Sequence, residues 1–346
     1  MSKNEDKILL KHEVKNIDDY LAVGGFKALK RAISMTPDAI IQEVKKSGLR
    51  GRGGAGFPTG AKWDSLYKYP SKKKYLCCNA AEGEPGTFKD RYIIKKNPYQ
   101  VIEGMAIGAY AIGAARSYMG IKVIFEEEIR RLDDALKECE ERGFIGKDVF
   151  GGALDIPIEI KLGPDNYLFG EETAFMRVLE GGPCMPRIKP SFILGLGNGL
   201  KMEREDNAYV DGIPTLVNNL ETYANIPHII NNGAEWFKSF GTEKSPGTMV
   251  FTLIGDVKRP GMYELPLGTN LSRLIYEIGG GPVNGSVKGV LPGGPSNKIL
   301  AANELDVALD YDSLKAADSG LGSGCVIVYD ETACMVKVAL TFSIFF

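Results

Sequence analysis

Short apolar runs alternate with amphipathic segments through the first two thirds of the chain. The apolar runs are typical of buried strands, and the segments between them repeat apolar residues with a helical period. The strand candidates are residues 75–79, 119–125 and 158–162, and the helix candidates are residues 99–114, 127–141, 171–179 and 217–230. This alternation predicts an α/β domain in which helices cover a parallel sheet.

The pattern changes after residue 230. Residues 231–247 are rich in Gly, Asn, Ser and Lys, and short strand candidates follow at 249–254, 262–265 and 325–329, with a helix candidate at 271–278. Short strands separated by glycine turns predict a smaller second domain with a β-grasp-like arrangement. We therefore expect a first domain over residues 1–240 and a second over residues 247–330.

The segment GLRGRGGAGFPTGAKW, residues 48–63, combines many glycines with three basic residues. Glycine lets the backbone take positive φ and approach a ligand closely, and the basic side chains add positive charge around it. The residues concerned are Gly51, Gly53, Gly54, Gly56, Arg50, Arg52 and Lys62. The segment predicts a cradle for a phosphorylated cofactor, with a flexible surface loop as the alternative.

The residues before these glycines are predicted to be helical. Thr36 is a candidate N-cap with Pro37 at the first helical position, and Gly48 stands where a C-terminal cap belongs. The dinucleotide-binding loop of a Rossmann fold instead follows a strand and opens a helix. A less common nucleotide or flavin fold is therefore the better interpretation.

Three further segments place polar groups directly after predicted strands and are candidate site loops. They are CNAAEGEPGTFKDR at 78–91, YLFGEETAF at 167–175 and PTLVNNLET at 214–222. Each has a plain alternative. Glu171 and Glu172 would suit any helix N-terminus, and Asn218 and Asn219 would suit a helix cap.

Two more alternatives concern single side chains. Glu82 and Glu84 could form a metal or acid–base site, although no histidine or third carboxylate is near them in the sequence. Phe57, Tyr167 and Phe192 are aromatic residues of a kind that more often lies in a core than against a cofactor.

Composition excludes several classes of function. The chain has 346 residues and a formal net charge of −2, which argues against a general nucleic-acid partner. The N-terminus lacks the apolar core of a signal peptide, and no apolar stretch approaches the roughly 20 residues that span a bilayer. We expect a cytoplasmic protein without membrane insertion, with peripheral attachment to the cytoplasmic membrane as the remaining option. The six cysteines contain no CxxC pair and the two histidines stand apart, so thiols are expected and a metal site is not.

The segments GLRGRGGAGFPTG, EGEPGTFKDR, GEET, PRIKPSF, VNNLET and GDVKRPG, in this order, resemble the NADH-binding FMN flavoprotein subunit of respiratory complex I. They also resemble the related flavoprotein subunits of NAD-linked hydrogenases and formate dehydrogenases. The resemblance runs from about Ile17 to the C-terminus. It implies a Rossmann-like FMN- and NADH-binding domain, followed by a soluble-ligand-binding β-grasp domain. It also implies hydride transfer from NADH to FMN, and then single electrons to iron–sulfur clusters toward a quinone, hydrogenase, formate dehydrogenase or ferredoxin partner.

The resemblance assigns site residues position by position. Those near FMN are Gly51, Gly53, Lys62, Asn79, Gly170, Glu171, Glu172, Asn218 and Asn219. Those nearer NADH are Phe57, Glu82, Glu84, Tyr167, Lys189 and Phe192. Arg52, Gly54, Ala55, Gly56 and Val217 complete the expected cofactor-binding set, and Glu82 and Glu172 are the expected catalytic residues.

The chain also departs from this family. Related subunits continue into a helical domain whose CxxCxxC run and later cysteine hold a 4Fe-4S cluster, and the six cysteines here do not reproduce that spacing. We therefore expect no such cluster on this chain, and residues 331–346 would be the start of a truncated helical domain. Expected partners are iron–sulfur subunits, including a thioredoxin-like 2Fe-2S subunit. The missing cluster leaves a second hypothesis, a non-catalytic structural or decayed paralogue that retains the fold.

Three departures affect the nucleotide end of the site, and one of them is Ser65, where some members of the family place an aromatic residue that faces the adenine. Ala81 stands where the family usually has an acidic residue, and residues 194–212 form an apparent insertion after Phe192. Each of these changes could alter the pocket for the adenine end of the substrate. NADPH therefore stays open beside NADH as the substrate.

Overall fold

The computed structural model describes residues 7–187, 196 and 212–346. Its first sheet has the strand order β3-β2-β1-β4. The strands are β1 (Tyr75–Ala80), β2 (Arg116–Lys122), β3 (Ile158–Gly163) and β4 (Thr215–Asn219). All three neighbouring pairs are parallel, which confirms the predicted parallel sheet.

Both faces of this sheet are covered. Leu76 and Cys78 of β1 belong to one apolar core, and Cys77 between them belongs to the core on the opposite face. Successive side chains of a strand point to opposite faces, so a strand buried on both sides must be apolar throughout. The run of apolar residues Leu76, Cys77 and Cys78 in β1 has this cause.

Helices precede, connect and follow the strands of the first sheet. They are α1 (Ile17–Ala22), α2 (Lys27–Ile33), α3 (Pro37–Lys46), α4 (Thr59–Lys68), α5 (Lys89–Lys96), α6 (Pro98–Ile112), α7 (Glu126–Glu141), α8 (Glu172–Leu179), α9 (Leu220–Asn232) and α10 (Ala234–Lys238). The helices α6 and α9 cross closely, since a Cβ added to Gly104 would lie 1.9 Å from the carbonyl oxygen of Tyr223. Only glycine permits this approach of the two backbones.

Two predicted elements of the first sheet's part of the chain have a bound that differs by three residues from the structure. The helix expected over residues 217–230 was wrong at its start, because Val217–Asn219 completes β4 and α9 begins at Leu220. The strand expected over residues 119–125 ends at Lys122. The apolar run continues through Val123 and Ile124, but these side chains are about half exposed and lead into α7.

The second sheet is mixed and has the order β6-β5-β9-β7-β8. Its strands are β5 (Thr248–Gly255), β6 (Gly261–Pro266), β7 (Val287–Leu291), β8 (Leu300–Ala301) and β9 (Cys325–Asp330). The β5–β9 pair is parallel and the other pairs are antiparallel. The predicted helix at 271–278 is α11 (Leu271–Arg273) followed by a π turn at Leu274–Ile278; α12 (Tyr311–Ala316) and α13 (Met335–Phe345) follow.

Buried polar contacts join the two halves of the chain. The carboxylate of Glu264, on β6, accepts backbone N–H groups from Ile8, Leu9 and Leu10 at 2.7–3.0 Å. The N-terminal segment is therefore fastened to the second sheet across more than 250 residues of sequence. Among the described residues, no helix is both long enough and apolar enough to span a bilayer.

Candidate functional site

A cleft of about 490 Å³ lies at the carboxyl ends of β1 and β4. The chain proceeds from β1 to β2 and β3 on one side, and β4 then pairs with the other side of β1. The strand order therefore reverses between β1 and β4. In open α/β sheets, ligands bind in the crevice at such a reversal, and this cleft has the size of a typical ligand site.

The cleft brings together most of the residues that were predicted to form a site. They are Gly51, Gly53, Gly54, Ala55, Gly56, Phe57, Lys62, Asn79, Glu82, Glu84, Tyr167, Gly170, Glu171, Glu172, Val217, Asn218 and Asn219. Phe57 is 59% exposed at the cleft, so its alternative interpretation as a core residue was wrong. Lys189, Phe192 and most of the apparent insertion lie outside the described residues.

The side chain of Arg52 does not supply charge to the cleft, in contrast to the prediction. It is fully buried, and its guanidinium donates to the carbonyl oxygens of Arg50 (3.1 Å), Pro246 (2.9 Å) and Thr248 (3.2 Å). The backbone N–H of Arg52 donates to Thr222 Oγ1 at 2.9 Å. Arg52 therefore joins the glycine-rich loop to the second half of the chain.

The glycine-rich loop has a defined conformation, so the alternative of a flexible linker receives no support from its contacts. Gly51 donates its N–H to the carbonyl oxygen of Phe57 at 2.9 Å, and Tyr311 Oη donates to the carbonyl oxygen of Gly51 at 2.8 Å. Gly56 has a φ of +63°, and a Cβ there would lie 2.5 Å from the ring of Tyr311. Glycine is therefore required at Gly56 both by the backbone and by its neighbour.

Gly170 is a glycine without such a requirement among the described residues. It lines the cleft at the end of a short 3-10 turn, Tyr167–Gly170. A Cβ built there meets no atom of the described residues within 4 Å. A small residue facing open space in a cleft leaves room for a ligand that approaches the backbone closely.

Lys62 lies on α4, and its ammonium group lies in the cleft. Its Nζ donates to Glu172 Oε2 at 2.8 Å and to the carbonyl oxygen of Val217 at 2.7 Å. The next residue, Trp63, is fully buried and donates its indole N–H to Asn218 Oδ1 at 2.9 Å. The helix α4 is thereby fixed against β4, and the lysine is held at the position where β4 ends.

The capping interpretations of Glu171 and Asn219 are correct, yet both residues also line the cleft. Glu171 Oε2 accepts the N–H groups of Thr173 (3.0 Å) and Ala174 (2.8 Å) at the start of α8. Asn219 Oδ1 accepts the N–H of Glu221 at 3.1 Å at the start of α9. Capping and cofactor binding are compatible, because a capped helix start holds its side chain at the sheet edge.

A buried charge cluster beneath the cleft was not found from the sequence. Lys89 Nζ lies 2.7 Å from Asp90 Oδ1 and 2.9 Å from Glu221 Oε2, and all three side chains are almost fully buried. Burial by itself would lower the pKa of Lys89, but attraction to Asp90, Glu221 and Glu82 outweighs it and raises the pKa above the usual value. Asn219 connects this cluster to β4, since its Nδ2 donates to Asp90 Oδ2 at 2.7 Å.

Glu82 is held by the start of α5. Its carboxylate accepts the N–H of Asp90 at 2.7 Å and the Nε–H of Arg91 at 2.9 Å, and the Arg91 guanidinium lies 4.5 Å from the ring centres of both Phe88 and Phe125. Burial and then the charge of Asp90 raise the pKa of Glu82 to about 7, against the opposing effect of Lys89 and Arg91. Glu82 is therefore a cleft carboxyl that can exchange a proton near neutral pH.

Glu84 has different partners. Its Oε2 accepts a hydrogen bond from Tyr167 Oη at 2.9 Å, and its Oε1 accepts one from Ser296 Oγ at 2.7 Å. Burial, and then the hydrogen bond to Glu84, raise the pKa of Tyr167. In the part of the chain that the structure describes, no group of three metal-ligating side chains is present, and the metal interpretation of Glu82 and Glu84 finds no support there.

The cleft also contains residues that were not predicted. They are Gly83, Thr87, Lys89, Asp90, Leu168 and Ser323. Most of them lie inside the segments 78–91 and 167–175, whose position after strands was the available signal. Ser323 comes from the second sheet's part of the chain, and nothing local in the sequence places it at the cleft.

The fold and the site define an α/β protein with a ligand-sized cleft at a strand reversal and with a second, mixed-sheet domain beside it. The family described as the Nuo51 FMN-binding domain matches residues 44–228, and the SLBB domain family matches residues 250–299. The chain belongs to the Nuo51 FMN-binding domain family.

Individual relatives agree with this assignment. The chain is 46% identical over 332 residues to an NADH-quinone oxidoreductase subunit of Rhizobium meliloti (strain 1021), covering 95% of this chain and 76% of the relative. It is 45% identical over 328 residues to the NADP-reducing hydrogenase subunit HndC of Solidesulfovibrio fructosivorans, covering 94% of this chain and 64% of that subunit. A solved NAD+-reducing nickel–iron hydrogenase, in the air-oxidised state, has a TM-score of 0.78 at 32% identity, with 97% of this chain but 54% of that chain covered. The chain thus spans about half of the solved hydrogenase chain.

Proposed function

We propose that this chain is the electron-input flavoprotein subunit of an oxidoreductase complex, an FMN-dependent NADH dehydrogenase. The observation that supports it most directly is the convergence of the glycine-rich loop, Lys62, Asn79 and residues 170–172 in one cleft at the strand reversal. When bound, FMN supplies the chemistry, because it accepts a hydride from NADH and releases electrons one at a time to iron–sulfur clusters. The chain's own residues bind and orient the two cofactors.

The residues present fit FMN. The backbone of the glycine-rich loop can approach a phosphorylated chain, and the Lys62 ammonium, which has three N–H donors, can meet an anionic group of the cofactor while it stays bonded to Glu172. Gly170 leaves open space in the same cleft. Glu82 and Glu172 are the two proposed catalytic carboxyl groups. Glu82 can hold or release a proton at its carboxylate oxygens near neutral pH.

The proposed NADH side includes Phe57, Glu84 and Tyr167, and by resemblance Lys189 and Phe192. The exposed ring of Phe57 offers a face on which a nucleotide base can stack. Carboxylates such as Glu84 accept hydrogen bonds from ribose hydroxyl groups. The relatives are named for both NADH and NADP, so the proposal takes NADH as substrate and tests NADPH beside it.

The proposal extends to partners and to domains. The relatives are subunits of larger oxidoreductases, and we propose that this chain passes electrons to iron–sulfur subunits, among them a thioredoxin-like 2Fe-2S subunit. We place it in the cytoplasm, attached to the membrane only through such partners. The division at residues 1–240, 247–330 and 331–346 remains part of this proposal.

The test is an anaerobic titration of the FMN-loaded protein with NADH and, separately, with NADPH, followed by the visible absorbance of the flavin. We expect NADH to bleach the flavin. Bound flavin that stays oxidised with both nucleotides would overturn the proposal and favour a structural or decayed paralogue.

A variant of Lys62 shows whether this cleft is the FMN site. Lys62→Met removes the ammonium group from the cleft, and we expect FMN affinity to fall at least tenfold, since a hydrogen bond from a charged group contributes about 1.5–3 kcal/mol. Lys68→Met is the matched control, because Lys68 lies on the same helix with an exposed ion pair to Asp64. FMN bound equally well by the wild type and Lys62→Met would place the flavin elsewhere.

A further inference from the structure

A turn of the second domain, residues 293–297, contacts the cleft. We call it the PSN turn after its residues Pro295, Ser296 and Asn297. Ser296 donates to Glu84 Oε1 twice, from its backbone N–H at 3.1 Å and from its hydroxyl at 2.7 Å. The other carboxylate oxygen of Glu84 accepts a hydrogen bond from Tyr167 at 2.9 Å. Each domain therefore holds one of the two oxygens of Glu84.

The PSN turn is built for this close approach. Gly294 has a φ of +96°, and a Cβ at this position would lie 2.8 Å from both Cγ and Oε1 of Glu84. A Cβ on Gly293 would lie 2.1 Å from the carbonyl oxygen of Gly320. Asn297 closes the turn by donating its Nδ2–H to the carbonyl oxygen of Gly293 at 3.0 Å. The backbone of the turn thus presents Ser296 to Glu84 in one conformation.

A second contact supports the view that the second domain forms one wall of the cleft. Ser323 lines the cleft, and its Oγ lies 2.6 Å from the Oγ1 of Thr87. Thr87 belongs to the same loop as Glu84. The loop at the end of β1 is therefore bonded to the second domain through Glu84 and Thr87, and the N–H of Phe88 adds a third bond, to Thr252 Oγ1 at 3.2 Å.

We propose that Ser296 is a positioning residue for nucleotide binding. It fixes the rotamer of Glu84, so that the carboxylate faces the ribose or nicotinamide end of the substrate before the substrate arrives. This inference rests on the proposed function, in which Glu84 lies on the NADH side of the cleft. Fixing the carboxylate in advance removes the entropic cost of ordering it on binding.

The test uses the FMN-loaded protein and the dependence of the flavin reduction rate on NADH concentration. We expect Ser296→Ala to raise the apparent dissociation constant for NADH about two- to fivefold, the size expected for one hydrogen bond at a partly exposed site. The limiting rate at saturating NADH and the amount of bound FMN should change less, because Ser296 does not contact the flavin side. Ser296→Thr retains the hydroxyl group and should restore most of the affinity.

A double-mutant cycle separates positioning from general damage to the domain. In a Glu84→Ala background, Ser296→Ala should have no further effect on the dissociation constant, since the two residues act as one unit. Ser286→Ala, an exposed serine of the same domain, is the matched control and should match the wild type.

The possible results are distinct. If NADH does not reduce the flavin of the wild-type protein, the proposed function is wrong, and the inference about Ser296 is wrong with it. If the wild type is reduced and Ser296→Ala has unchanged affinity, the inference is wrong. The inference is also wrong if Ser296→Ala weakens NADH binding by the same factor in the wild-type and Glu84→Ala backgrounds. A loss of bound FMN together with the loss of NADH affinity would likewise overturn it.

Discussion

Replacement of Arg52 by methionine should both destabilise the protein and weaken the cofactor cradle. The guanidinium is completely buried and donates three hydrogen bonds to carbonyl oxygens at 2.9–3.2 Å. Methionine has a similar length and retains apolar contacts, but it leaves these three carbonyl groups without their donor. Two of the three belong to Pro246 and Thr248, in the segment that leads into β5.

The magnitude follows from opposing contributions. Hydrogen bonds to a charged group are worth about 1.5–3 kcal/mol each, so three of them give about 4.5–9 kcal/mol. Removal of the buried charge returns several kcal/mol of desolvation cost. A net loss of about 3 kcal/mol remains, which is a large share of the 5–15 kcal/mol by which domains are typically stable.

Equilibrium unfolding in urea measures the first effect, and titration with FMN measures the second. The matched control is Arg116→Met, because Arg116 is half exposed and its ion pair with Glu159 lies at the surface. Such a pair contributes at most about 1 kcal/mol. The reasoning is refuted if Arg52→Met unfolds within about 1 kcal/mol of the wild type, or if the destabilised variant binds FMN with wild-type affinity.

Two further predictions concern the cleft. The pKa of Glu82 is raised by burial and by Asp90 from 4.5 to about 7, so Glu82 stabilises the folded state below about pH 4.5 and loses this contribution as the pH rises through 7. The difference in unfolding free energy between Glu82→Gln and the wild type should therefore shift in favour of the variant between pH 5 and pH 8; a difference that does not vary with pH would contradict this. Gly170→Ala should leave the unfolding free energy within about 0.5 kcal/mol of wild type, because its Cβ meets no described residue within 4 Å, yet it should weaken FMN binding. Unchanged FMN affinity would show that the open space at Gly170 is not used by the cofactor.

The architecture of the first sheet was predictable because the signals are local. The strand candidates were apolar runs of the correct length, and parallel strands place their carboxyl ends at one edge. Two of the candidate loops, residues 78–91 and 167–175, follow such strands and meet at this edge, whereas residues 214–222 contain β4 itself and the start of α9. The strand β4 was not predicted: Asn219 both ends this strand and caps the next helix, and the apolar residues on both sides continue one pattern, so residues 217–230 were predicted as a single helix.

The partners of charged residues were the part that the sequence could not supply. Arg50, Arg52 and Lys62 look alike as cations beside a glycine-rich loop. In the structure Arg50 lies over the ring of Tyr311 at 4.1 Å, Arg52 is buried against Pro246, and Lys62 alone of these three lines the cleft. Their different partners lie about 110 to 260 residues away in sequence, so only the tertiary fold distinguishes a structural cation from one that lines the cleft.

The glycines also divide into two kinds. Some are required by the protein's own structure, and one, Gly170, is not required by any described residue. Gly56 must be glycine because of its positive φ and the ring of Tyr311, and Gly294 because of its positive φ and the carboxylate of Glu84. Both requirements are internal to the protein and would exist without any ligand. Gly170 has neither requirement among the described residues, and it faces the cleft. A glycine that the described protein does not itself require is therefore stronger evidence for a bound cofactor than the more conspicuous glycine-rich loop.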